Sequence, residues 1–197
     1  MYKEIFSAIA IVLTFAAFLP YILSIRQGRT KPHVFSWVIW GITTLVAFLA
    51  QLADKGGVGA WPTGVSGAVA SYIALLAYLK KSDISITRVD WLFFFLSISS
   101  LCVWYITTDP LWAVVILTMV DLLAFVPTFR KSWHAPYNEE LPLYHIVIIR
   151  NIASLMALEH LSLTTILFPS AMSVACVSFI MMVMYRRRLS IYVRCSE

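Results

Sequence analysis

Charge is what this sequence lacks. Only 13% of its 197 residues are Asp, Glu, Lys or Arg, against about a quarter in soluble domains. Hydrophobic residues make up 60%, where roughly 45–50% is usual. That balance excludes a soluble enzyme, a nucleic-acid binder and a disordered regulator. Cysteine is also scarce: Cys102, Cys176 and Cys195 are odd in number and form no CxxC pair. Neither a disulfide framework nor a zinc site is indicated. The chain has no HExxH, no Ser-His-Asp order and no phosphate loop. No catalytic residue, metal ligand or cofactor site is therefore expected, and the chain does not read as an enzyme. Strand-like alternation of apolar and polar residues is missing too, which excludes a membrane barrel.

What is present is a series of seven apolar segments, at about 4–25, 34–53, 63–79, 90–106, 110–129, 141–160 and 164–185. Each approaches the roughly 20 residues that a helix needs to cross a bilayer. The first continues through Pro20 toward a second span, so it reads as a retained helix and not a cleaved signal. The net charge of +5 comes from loop residues. Arg26, Arg29, Lys31, Lys80, Lys81, Arg88, Arg130, Lys131, Arg186, Arg187, Arg188 and Arg194 fall at one set of segment ends. Lys3 and Lys55 fall at the other, and Arg150 lies inside a segment. Basic residues collect on the cytoplasmic side of a membrane, which puts the N-terminus outside and the C-terminus in the cytoplasm. Trp61, Trp91, Trp104, Trp112 and Trp133 sit at segment ends, where they read as interfacial anchors.

The chain also repeats itself. Ala17-Phe18-Leu19-Pro20 returns as Ala124-Phe125-Val126-Pro127, and Trp61-Pro62 as Phe168-Pro169 at the same offset. Ser66, Ser71 and Tyr78 return as Ser173, Ser178 and Tyr185, and Lys80-Lys81 as Arg187-Arg188. Gly41-Ile42-Thr43-Thr44-Leu45 aligns with Asn151-Ile152-Ala153-Ser154-Leu155 at an offset three residues longer, the difference falling in loops. The expected fold is an all-α membrane protein with seven transmembrane helices, two parallel triple-helix-bundle repeats joined by a linker helix. Residues 1–82 form the first repeat, 83–108 the linker, 109–188 the second repeat and 189–197 a cytoplasmic tail. In such parallel repeats the binding site lies near the midplane, between the halves.

This three-one-three topology, with a proline near the cytoplasmic end of the first helix of each repeat, resembles the PQ-loop and SWEET-like transporter superfamily. The Pro-Gln dipeptide of that family stands here as Pro20-Tyr21 and Pro127-Thr128. The asparagines of sugar-carrying members are missing from the third and seventh segments, since Asn138 and Asn151 are the only two. The resemblance thus implies a fold and a small-solute transporter, and not a sugar as substrate. It further implies alternating access, with Pro20 and Pro127 as hinges and a proton-coupling aspartate in the fifth helix. The chain also resembles a group of bacterial inner-membrane proteins, which implies that location.

Two residues stand out on their own chemistry. Asp121 and Arg150 lie near the middle of the fifth and sixth segments. A charge at that depth costs about 2.5–3.5 kcal/mol on insertion scales, so each must face the protein interior or a water-filled cavity. Their repeat equivalents, Thr14 and Trp40, are uncharged. The two charges are expected to pair, directly or through water. Asp121 reads as the ion or proton site, and Arg150 as a fork for a carboxylate or phosphate. Asn151 and Trp40 complete the expected substrate site, with Tyr72 reaching the cavity from the third helix. The partners are then a small-molecule solute and the lipid bilayer, with no nucleic acid; a homo-oligomer is admissible. The rival readings are a non-transporting membrane sensor or scaffold, and a membrane enzyme acting on lipid headgroups. Gly56, Gly57 and Gly59 read as a mobile outer loop.

Overall fold

A computed structural model of the protein describes residues 2–29, 32–80, 86–134, 136–138 and 141–195. Among the described residues seven α-helices follow one another: α1 (Tyr2–Arg26), α2 (Val34–Ala53), α3 (Trp61–Leu79), α4 (Arg88–Thr107), α5 (Pro110–His134), α6 (Leu141–Ala157) and α7 (Leu163–Cys195). Two 3-10 turns, Gly57–Ala60 and Pro136–Asn138, stand before α3 and α6. Among the described residues there is no strand. Six of the helices are long and apolar enough to cross a membrane. The seventh, α6, has 17 residues, at the short limit of about 17–25 for a span. The chain is an all-α integral membrane protein.

The helices begin and end where the sequence supplies polar punctuation. His33 caps α2, its Nδ1 accepting the Ser36 amide at 3.3 Å. Thr87 and Asp90 form a reciprocal capping box at the start of α4. Pro62 stands in the first turn of α3, where a missing amide costs nothing. Segment 141–160 ends sooner than the sequence suggests, at Ala157, because residues 158–162 leave the helix to bind a distant loop. The boundary expected at residues 82 and 83 lies outside the described residues.

Helix α3 packs against both α1 and α2, and α7 packs against both α5 and α6. The two groups meet where α1 lies on α6 and α2 lies on α5. Helix α4 rests on α5 and α2. Apolar residues fill these contacts. Ile25, Val69, Ile73 and Leu76 join α1 to α3, while Ala47, Ala50, Val114 and Phe168 join α2, α5 and α7. Trp104 packs against that second cluster, so it is part of the core, whereas Trp61, Trp91, Trp112 and Trp133 are exposed at helix ends.

Small residues set the α2–α3 distance. A Cβ on Gly67 would stand 2.8 Å from Leu45 Cγ and 3.0 Å from its backbone nitrogen. A Cβ on Gly41 would stand 2.7 Å from Ser71 Oγ. Membrane helices associate through such close backbone approach, since lipid offers no hydrophobic drive between them. Gly67→Val is therefore expected to cost roughly 1–3 kcal/mol by overpacking. Thermal unfolding in detergent checks this: the midpoint falls, and Gly28→Ala, whose Cβ meets open space, stays closer to wild type.

Candidate functional site

Five buried polar residues of the spans, Thr14, Ser66, Asp121, Arg150 and Asn151, line one cavity of about 280 Å3 between the two helix groups. Thr14 and Phe18 of α1 line it, with Trp37, Trp40 and Thr44 of α2 and Ser66 of α3. From the other group come Asp121, Phe125 and Thr128 of α5, Tyr144, Arg150 and Asn151 of α6, and Phe168 and Cys176 of α7. Aromatic rings form much of the wall. Trp37 and Trp40 meet edge to face at 5.1 Å, and Phe18 lies 6.2 Å from Trp37. Opposite them Phe125 and Tyr144 stand 6.0 Å apart and both pack on Phe179.

Arg150, Asn151 and Asp121 are 8%, 2% and 6% exposed. Arg150 Nη1 donates to Asn151 Oδ1 at 2.8 Å, and Nη2 donates across to the Pro62 carbonyl of α3 at 3.2 Å. Arg150 Nε, Asn151 Nδ2 and Asp121 Oδ1 have no hydrogen-bond partner. Thr43 of α2 stands beside Asp121. A buried polar group left without a partner costs about 1–3 kcal/mol, and more when charged. Three residues that line the cavity thus each carry a buried polar atom without a partner, which calls for an explanation.

The structure brings four of the expected site residues together: Arg150, Asn151, Trp40 and Asp121 share the cavity. One expectation is narrowed and one needs correction. Arg150 and Asp121 do not form a direct ion pair, because the guanidinium is turned toward Asn151 and Pro62. Tyr72 does not reach the cavity; it is 40% exposed on the outer surface of α3. Ser66 and Ala70 mark the cavity face of that helix, and two residues beyond Ala70 the helix has turned by about 200°. Pro20 lies inside α1, which continues through it. Pro127 falls within α5, and its side chain lies outside the described residues.

Sequence reasoning passed over Phe18, Phe125 and Tyr144. The first two were legible, since they occupy the same place in the repeated Ala-Phe-x-Pro motif. Cys176 was passed over as well; it is buried beside Arg150. Among the described residues, no three His, Cys, Asp or Glu side chains converge as metal ligands would.

The two ends of the cavity differ. One end reaches Thr128 and the first turn of α6, where Leu143 is 40% exposed at the mouth. This is the end that carries the basic loops. The other end is sealed by two loops that bind each other. The Glu159 amide donates to the Gly56 carbonyl at 3.1 Å, and the Val58 amide donates to Glu159 Oε1 at 3.3 Å. Ser154 Oγ donates to the Gly59 carbonyl at 2.9 Å, and Ser7 Oγ donates to the Val58 carbonyl at 2.6 Å. Asp54 accepts from the Ser162 hydroxyl and lies 3.7 Å from His160 Nδ1. The glycine loop, expected to be mobile, is thus held on three sides.

Comparison of the chain with protein-family models, with curated proteins and with solved structures returns no match.

Proposed function

We propose that this protein is a small-solute membrane transporter of PQ-loop and SWEET-like type, working by alternating access around a midplane site. The observation that carries this reading is the cavity itself. It is lined by both helix groups, and three of its lining residues, Asp121, Arg150 and Asn151, each carry a buried polar atom that lacks a partner. A scaffold has no need for such atoms, whereas a binding site does.

The repeat reading draws support from the cavity wall. Thr14 and Asp121, Phe18 and Phe125, Trp37 and Val147, and Trp40 and Arg150 are sequence-equivalent pairs, and all eight line it. Contacts of α1 with α6 and of α2 with α5 are what a twofold axis along the membrane normal would produce. Residues 1–82 and 109–188 would then be the repeats, with α4 as linker. The twelve-to-two division of basic residues puts the cavity mouth in the cytoplasm, with the N-terminus outside, in a membrane such as the bacterial inner membrane. In this reading the conformation is open inward, and the sealed loops are the outer gate. Pro20 removes the amide that would bond the Ala16 carbonyl, which weakens α1 just below the cavity; Pro127 acts likewise in α5. Asp121 is the proton or ion site of this scheme.

The test is solute counterflow in proteoliposomes, with a panel of sugars, amino acids and organic anions. Exchange of at least one labelled solute is expected. In a Cys102→Ser/Cys195→Ser background, a small thiol reagent on Cys176 should block that exchange, and bound solute should slow the labelling. Exchange of nothing in the panel, or labelling of Cys176 with no effect on exchange, would count against transport.

A further inference from the structure

The outer seal carries a titratable group that the transport scheme leaves unused. His160 follows the end of α6, and its ring meets the residue that ends α2. Nδ1 lies 3.1 Å from the Asp54 carbonyl oxygen and 3.7 Å from Asp54 Oδ2. Both neighbours are acceptors, so Nδ1 holds the hydrogen of the neutral ring. The Asp54 carboxylate also accepts from the Ser162 hydroxyl, and Thr165 Oγ1 donates to the His160 carbonyl at 2.8 Å. Carboxylate and ring are thus both placed from the start of α7. A proton taken up at the far nitrogen, Nε2, breaks none of these bonds and puts a positive charge beside Asp54. The His160 side chain is 54% exposed, so that proton comes directly from solution. We infer that His160 and Asp54 form an acid-tightened latch on this seal, which holds the loop after α2 against the loop after α6 more firmly in mild acid. That the solution is the outer one rests on the orientation proposed above; the latch itself does not.

The charges of this face run the same way. Glu159 precedes His160, and its carboxylate accepts from the Val58 amide and lies against Gly57. From α1, Lys3 Nζ donates to the Glu159 carbonyl at 3.5 Å, and Glu4 stands in the same first turn. Lys55 follows Asp54 in the chain, and Asp109, at the turn between α4 and α5, accepts from the Leu111 amide. The turn Gly57–Ala60 and the first turn of α7 bring no titratable side chain. The face therefore has four acids, Glu4, Asp54, Asp109 and Glu159, against Lys3 and Lys55. A proton gained by His160 reduces that excess of negative charge. Histidine is the side chain that changes charge between pH 5 and 8. The ion pair exists only while the ring is charged, so it is present in mild acid and lost as pH rises. An exposed pair shifts an equilibrium by only about twofold to fivefold. The bonds of Glu159 and Ser154 to the glycine loop do not depend on the ring, so acid tightens the seal and does not create it.

The experiment is hydrogen–deuterium exchange of the full-length protein in detergent at about pH 8, 6.5 and 5.5, with intrinsic exchange rates divided out. Peptides covering residues 54–60 and 157–162 should be protected roughly twofold to fivefold more at the acid end. His160→Gln keeps a donor for the Asp54 carbonyl and cannot take up the proton, so its protection should not change with pH. Asp54→Asn removes the carboxylate and should lose the response as well. His33→Gln, which removes the imidazole 4.0 Å from Asp90 at the opposite face, should keep it. Protection of the wild-type loops that is flat across this range would overturn the latch. So would a response that persists in His160→Gln. If both latch variants fail to fold, the wild type still decides. A gain confined to the two loops, and absent around His33, His134 and His145, sustains the latch; a gain spread evenly over the chain overturns it. Exchange reads the loops and not a solute, so the outcome stands whatever the cavity carries. Counterflow indifferent to outer pH, in a protein whose loops do respond, would sustain the latch and count against these loops as the transport gate.

Discussion

Gly59→Val is expected to lower the thermal unfolding midpoint in detergent by about 10 °C. A Cβ at this position would stand 2.6 Å from Ala157 C and from Leu158 Cα, and would overlap the Leu158 nitrogen. All of these are backbone atoms, so no side chain can rotate away to make room. Overpacking costs typically 1–3 kcal/mol, and the upper end applies when the obstacle is backbone; at roughly 2–4 °C per kcal/mol for a chain of this size, that gives the stated shift. The damage would spread through the outer seal. Pushing Gly59 off α6 breaks the bond from Ser154 Oγ to the Gly59 carbonyl and strains the Glu159 contacts with Gly56 and Val58. Gly28→Ala separates space from conformation. Gly28 has φ of +73° but open surroundings, so alanine there meets only the left-handed penalty of about 1–2 kcal/mol. A midpoint for Gly59→Val no lower than that of Gly28→Ala would show that the two loops are not in close contact.

The same loop shows where sequence reading runs out. Helix positions were legible because apolar runs are interrupted by charges, prolines and caps, all of them local signals. Asp121 and Arg150 were legible because a charge amid apolar residues is conspicuous in one dimension. The partner of Gly59 was not legible, because Leu158 lies about a hundred residues away and a glycine that permits close approach looks like one that permits motion. Tyr72 went astray for a related reason. Helix α3 is apolar on most of its circumference, so its sequence does not announce which face meets the cavity. Whether Asp121 and Arg150 pair directly was not legible either. A place near the middle of a span fixes height only roughly and says nothing of where a long guanidinium arm turns, and here it turns to a carbonyl of α3.

That turn makes Arg150 the position where function and structure can be separated most cleanly. Arg150→Ala leaves Asn151 Oδ1 buried without its donor, at about 1–3 kcal/mol, and removes a second bond to the Pro62 carbonyl, so the variant should lose both stability and solute exchange. Arg150→Lys is the informative change. Lysine keeps the positive charge near Asp121 and can reach one of the two oxygens, so the unfolding midpoint should fall by only a few degrees. It cannot offer an Nε donor in the plane of a fork, and a carboxylate that needs two parallel bonds loses one of them. A charged hydrogen bond is worth roughly 1.5–3 kcal/mol, which corresponds to about a tenfold to hundredfold loss of affinity. Solute affinity in the lysine variant is therefore expected to drop by that factor, at near-normal stability. A purely architectural Arg150 predicts the reverse: lysine would preserve whatever binding exists, and alanine would fail only through unfolding. Measuring affinity and unfolding midpoint side by side on both variants decides between a ligand-binding arginine and a structural one.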